Sequence, residues 1–146
     1  MERSTPEAIR VDRDGEVWLV SPTGEFDVDN VQELRVALES LIAPEHVALS
    51  QPTLVVLDLS AITLMDSTVI NEIIRAHRLA NDRPDVHLAI VVDSPESFTG
   101  RIFRLVGITR LLPTYASRTL ALSAIRTAAG GDRIDPAAPP ASKPSA

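Results

Sequence analysis

From Thr53 to Leu59 the chain reads Thr-Leu-Val-Val-Leu-Asp-Leu, and Asp58 is the only charge in the run. A strand exposed on one face alternates apolar and polar residues. One that is apolar at nearly every position must be covered on both faces, as in a sheet sandwiched by helices. His87–Val92 is a second run of this kind. Helical patterns lie between and beyond these strands, so the expected class is α/β with a largely parallel sheet.

The remaining elements follow from periodicity and turn chemistry. Ile9–Asp12 and Glu16–Val20 flank Asp14-Gly15, which predicts a hairpin. Asp27 or Asp29 is placed to cap a first helix whose stripe is Val31, Leu34, Leu38, Leu41 and Ile42, ended by Pro44. Residues 44–52 read as a loop. Ser67 to about Asn81 predicts the second helix, with Val69, Ile70, Ile73, Ile74, His77 and Ala80 on one side. Asn71, Glu72, Arg75 and Arg78 fall on the other. Pro95 and Glu96 suit the first turn of a third helix that should bury Phe98, Ile102, Leu105 and Val106 and stop at Gly107. Arg110-Leu111-Leu112 reads as a short edge strand. A last helix from Ser117 should bury Leu120, Leu122 or Ala124, and Ile125, ending at Gly130-Gly131. The expected order is ββαβαβαβα, about five strands covered by about four helices. Residues 1–8 read as a flexible N-terminus, 9–129 as the domain, and 130–146 as a disordered Pro- and Ala-rich tail.

Composition removes several functions. Cysteine is absent, which excludes disulfides, zinc–thiolate sites and cysteine nucleophiles. Lys143 is the only lysine, so there is no internal lysine for a P-loop or a Schiff base. A net charge of −6 without a basic run, and aromatics at only 3%, argue against nucleic acid as a partner. No apolar run reaches the length of a membrane span and Met1–Pro6 has no signal-peptide core, so a cytoplasmic chain is expected. His46, His77 and His87 have no partner at ligand spacing, and no Gly-x-Ser-x-Gly elbow is present. No catalytic residue, metal or cofactor is assigned. Asp58 resembles a phosphoacceptor at a strand end, but the only later lysine is Lys143 in the tail, and a loop hydrogen bond is its favoured role.

The remaining candidate is Asp66-Ser67-Thr68, at the predicted start of the second helix. Backbone N–H groups and the positive end of the helix dipole meet there and favour a negative group. A helix cap alone is common. The context is more specific: Val55-Val-Leu-Asp-Leu-Ser60, a spacer, then Met65-Asp-Ser-Thr68. With Gly24-Glu25-Phe26-Asp27 before it and Gly107-Ile108 and Leu111-Leu112 after it, the chain resembles a STAS domain of the anti-sigma factor antagonist type over about residues 9–127.

That resemblance implies a mechanism. The serine after the signature aspartate is phosphorylated by an anti-sigma factor that is itself a serine kinase. The unphosphorylated antagonist binds this kinase and frees the sigma factor, and a serine phosphatase reverses the mark. Carried over, Ser67 is the phosphoacceptor, with Thr68 the alternative. The partner surface would comprise Asp27, Asp66, Ser67, Thr68, Val69, Asn71 and Glu72. Val69 stands where the family pattern has glycine, and its bulk is expected to narrow the approach of a partner backbone. Two other readings follow: an unphosphorylated STAS scaffold in a larger signalling or transport assembly, and an enzyme or small-ligand carrier. The lack of a convergent polar set disfavours the last.

Overall fold

The computed structural model describes residues 8–43 and 51–130. The expected tail and N-terminus lie almost wholly outside these residues, as do most of the 44–52 loop and His46. The chain opens with an antiparallel hairpin, β1 (Ile9–Asp14) and β2 (Val17–Pro22), turning through Gly15 at φ +61°. A short β3 (Gly24–Phe26) leads to α1 (Val31–Ile42). Then come β4 (Thr53–Asp58), β5 (Ile62–Met65) and α2 (Ser67–Asn81). After these come β6 (Val86–Val91), α3 (Phe98–Val106), a 3-10 turn (Ile108–Arg110), β7 (Thr114–Tyr115) and α4 (Arg118–Gly130).

The main sheet has the order β1-β2-β4-β6-β7, and only the β1–β2 pair is antiparallel. The apolar run that defined β4 and its neighbour β6 therefore occupy the middle. Side chains alternate between the two faces of a strand. Val55 and Leu57 join Leu34, Leu38, Val69, Ile73 and Phe103 in one core, beneath α1, α2 and α3. Leu54 and Val56 join Val17, Leu19, Ala89, Ala121 and Ile125 in a second core, beneath α4. Both faces of β4 are thus dry, as its composition requires.

Several details depart from the sequence reading. The spacer after Ser60 holds a strand, since β5 pairs in parallel with β3 in a separate two-stranded sheet. The cap of α1 is Asn30, not Asp27 or Asp29. Pro95 and Glu96 form a turn ahead of α3, and Ser97 caps that helix through its hydroxyl. The buried face of α3 is Thr99, Gly100 and Phe103, leaving Leu105 and Val106 at 82% and 56% exposure. Gly100 decides this orientation: a Cβ there would lie 2.0 Å from the Ser94 carbonyl oxygen, so the helix is seated on its glycine. The edge strand is Thr114–Tyr115 rather than 110–112, since Gly107 at φ +82° ends α3 and diverts the chain into the 3-10 turn. In α4 the buried residues are Ala121, Ile125 and Ala128; Leu120 is exposed.

Leu57 is fully buried in the middle of β4. Leu57→Ala is expected to lower unfolding free energy by about 2–5 kcal/mol, measured by urea denaturation. A loss under ~1 kcal/mol would be inconsistent with a central strand.

Candidate functional site

α2 begins where β5 ends, and Asp66 is the residue between them. Its backbone is extended, so its carboxylate turns back over the first turn of the helix. Oδ1 accepts from the backbone N–H of Thr68 at 3.0 Å and of Val69 at 3.3 Å, and from the Thr68 hydroxyl. Oδ2 accepts from the backbone N–H of Val28 at 3.2 Å. The Thr68 hydroxyl is the main cause of an Asp66 pKa held below the usual aspartate value; the three amide donors add to it and partial desolvation opposes it.

The Val28 contact brings the start of α1 to the start of α2. The turn before α1 is itself tightly tied. Asn30 accepts from the Asp27 N–H at 2.8 Å and donates to the Glu25 carbonyl at 2.9 Å. Asp27 accepts from the Asp29 N–H at 2.9 Å. Asp27 is thus half-buried beside the start of α2, and its carboxylate shapes the turn. Asn30 and Val28 were not anticipated. Val28 takes part only through its backbone, which no side-chain pattern reveals.

Ser67 occupies the first helical position and is exposed, as is Asn71 one turn on. Thr68 is half-buried, its hydroxyl engaged by Asp66. Two of the expected surface residues are not on the surface. Val69 is fully buried against the first core, so its side chain fills the interior and does not obstruct an approaching partner. Glu72 is 6% exposed in the groove between α1 and α2, where Arg75 reaches both Glu72 (3.4 Å) and Glu39. Burial pushes the Glu72 carboxyl above its ordinary pKa, against the pull of Arg75 and Arg35. The helix amides expected to be open to a phosphate are also partly taken, since Asp66 already holds those of Thr68 and Val69.

Asp58 makes the expected loop bond, accepting from the Ser60 N–H at 3.0 Å. It also accepts from Arg118 Nε at 2.6 Å, while Arg118 donates to the Ser21 hydroxyl at 2.9 Å. This unforeseen bridge ties α4 to the ends of β2 and β4, and gives Asp58 a structural role.

The STAS domain family model matches residues 8–121. The chain belongs to the STAS domain family. An anti-sigma factor antagonist from Mycobacterium paratuberculosis superposes with a TM-score of 0.67 at 26% identity, covering 85% of this chain and 99% of that one. A STAS domain protein from Planctomyces limnophilus gives 0.66 at 19% identity, over 81% and 97%. The antagonist SpoIIAA in its unphosphorylated form gives 0.58 at 16% identity, over 82% and 98%, and shares the fold. No curated protein matches the chain. Among the described residues of this STAS domain, no helix is long and apolar enough to cross a membrane.

The cap has a pH signature. Because the folded-state pKa of Asp66 is lowered, its stabilising contribution is present above the unfolded aspartate pKa and fades as pH falls through the folded value. Asp66→Asn is expected to lower the urea midpoint at neutral pH and to narrow its gap to wild type on acidification below pH ~4. Parallel urea titrations of the two proteins across that range provide the check. A gap that does not change with pH would contradict the charged cap.

Proposed function

We propose that this STAS domain is an anti-sigma factor antagonist that binds a cognate anti-sigma factor serine kinase through the surface around Ser67, and that phosphorylation of Ser67 ends the binding. The observation that carries this reading is an exposed serine at the first position of α2, directly behind a fixed, ionised carboxylate. The likeness to the Mycobacterium paratuberculosis antagonist, over nearly all of that protein, supports an anti-sigma factor as the partner. The site would work by occlusion and charge in a cytoplasmic setting, with a serine phosphatase resetting it.

The arrangement favours Ser67 over Thr68. The Thr68 hydroxyl is already donated to Asp66, and modifying it would break the cap. Ser67 can be modified with the cap intact. A phosphate there adds about −1.5 to −2 charges. It arrives beside Asp66, close to a turn that carries Glu25, Asp27 and Asp29. Two of the nearest helix amides are occupied, so the new charge is poorly compensated within the chain. A partner docked here would have to desolvate a bulky charge where it had buried a small hydroxyl, and a charge buried at an interface without a partner is costly. Asp27, Asp66, Ser67, Thr68 and Asn71 form the proposed contact surface. Val69 and Glu72 would act from beneath it, Val69 by seating α2 and Glu72 by setting the charge of the groove.

Ser67→Asp should weaken binding to the anti-sigma kinase at least about tenfold, or ~1.4 kcal/mol, by isothermal calorimetry. Ser67→Ala should bind as wild type and accept no phosphate in a kinase assay read by mass spectrometry. Equal affinities for the two variants, or phosphate found on Thr68 alone, would overturn the assignment.

A further inference from the structure

The segment 98–112 departs from the rest of the surface. The chain carries a net charge of −6, yet this stretch contains Arg101, Arg104 and Arg110 and no acid. All three arginines are exposed. Beside them Leu105, Val106 and Leu111 are exposed at 82%, 56% and 54%. Large aliphatic side chains are normally the first to be buried, so three of them left exposed within seven residues set this segment apart.

A groove of about 340 Å³ opens alongside, walled by Val92, Pro95, Phe103, Tyr115 and Leu120, with Arg104 on its lining. It lies where β6 and β7 end, at the carboxyl edge of a parallel sheet, the usual place for binding in open α/β folds. Gly100 also lines it, and the close seating of that residue fixes the helix that carries Arg104. The groove therefore offers an apolar slot with a cation at its edge and further cations along the same helix and the turn after it.

We propose that this surface docks an acidic, amphipathic segment of a protein partner. A large apolar side chain of the segment enters the groove, and its carboxylates pair with Arg101, Arg104 and Arg110. Charge complementarity selects this occupant. The arginines recruit carboxylates, bidentate pairing suits them, and an apolar anchor seated in a pocket is the usual form of a binding hot spot. A flat anionic membrane is the poorer match, because the remainder of the domain is acidic and would be brought up to the same surface. The lining of the groove shares no residue with the surface around Ser67.

A short synthetic amphipathic peptide of Glu and Leu serves as the probe, titrated into the full ¹⁵N-labelled chain. Amide shift changes are expected in residues 92–120 and not at 66–72. Affinity should fall at least about tenfold with Arg101→Glu/Arg104→Glu and should drop as salt is raised. The exposed positions of these arginines leave folding intact, which the unchanged dispersion of core amides will show. The same peptide with Lys in place of Glu should not bind. Shifts mapping elsewhere, equal binding of the Lys peptide, or no binding at millimolar peptide would overturn the proposal. Binding of phosphatidylglycerol vesicles in preference to the peptide, or sedimentation showing that this face joins two copies of the chain, would also overturn it.

Discussion

The Asp66 carboxylate holds two helix starts at once. One oxygen closes the first turn of α2 and the other takes the Val28 amide ahead of α1. A backbone N–H left unpaired at a helix start costs stability, and a charged acceptor satisfies several more strongly than a neutral one. The position of Ser67 follows directly, since it is the next residue along. Its exposure is therefore fixed by the same bonds that fix the helix, and the proposed partner would meet a preformed surface.

That arrangement rests on the sheet below it. β4 is dry on both faces, with α1 and α2 over one side and α4 over the other. The Asp58–Arg118–Ser21 bridge fastens the carboxyl ends of β2 and β4 to the start of α4. β3 and β5 pair apart from the main sheet and carry the chain from β2 and β4 to the two helix starts. On the proposed reading the domain has no need to rearrange, because one added charge at Ser67 would spoil one contact surface.

The long apolar strands, the hairpin and the amphipathic α1 and α2 were legible because their patterns match the environment each occupies. Asp66 was legible as a cap for the same reason. What the sequence concealed had tertiary causes. The apolar stripe Ile102, Leu105, Val106 suggested the wrong inward face, because close seating of Gly100 on the Ser94 carbonyl outweighed hydrophobic periodicity. Glu72 fell on the polar side of a helical wheel, yet α1 covers it and Arg75 accompanies it. Val69 was placed on the apolar stripe and also at the partner surface; the structure resolves the conflict in favour of the core. Arg118 and Asn30 act through contacts across the sheet or with backbone carbonyls, which leave no local pattern.

The central claim is that modification of Ser67 alters a surface and leaves the platform unchanged. Solution NMR of the chain before and after treatment with an anti-sigma factor kinase tests it most directly. The account predicts one phosphate, on Ser67, with amide shift changes confined to residues 26–30 and 66–72 and none in β4 or β6. Failure to incorporate phosphate at Ser67, or changes spread through the central strands, would contradict it.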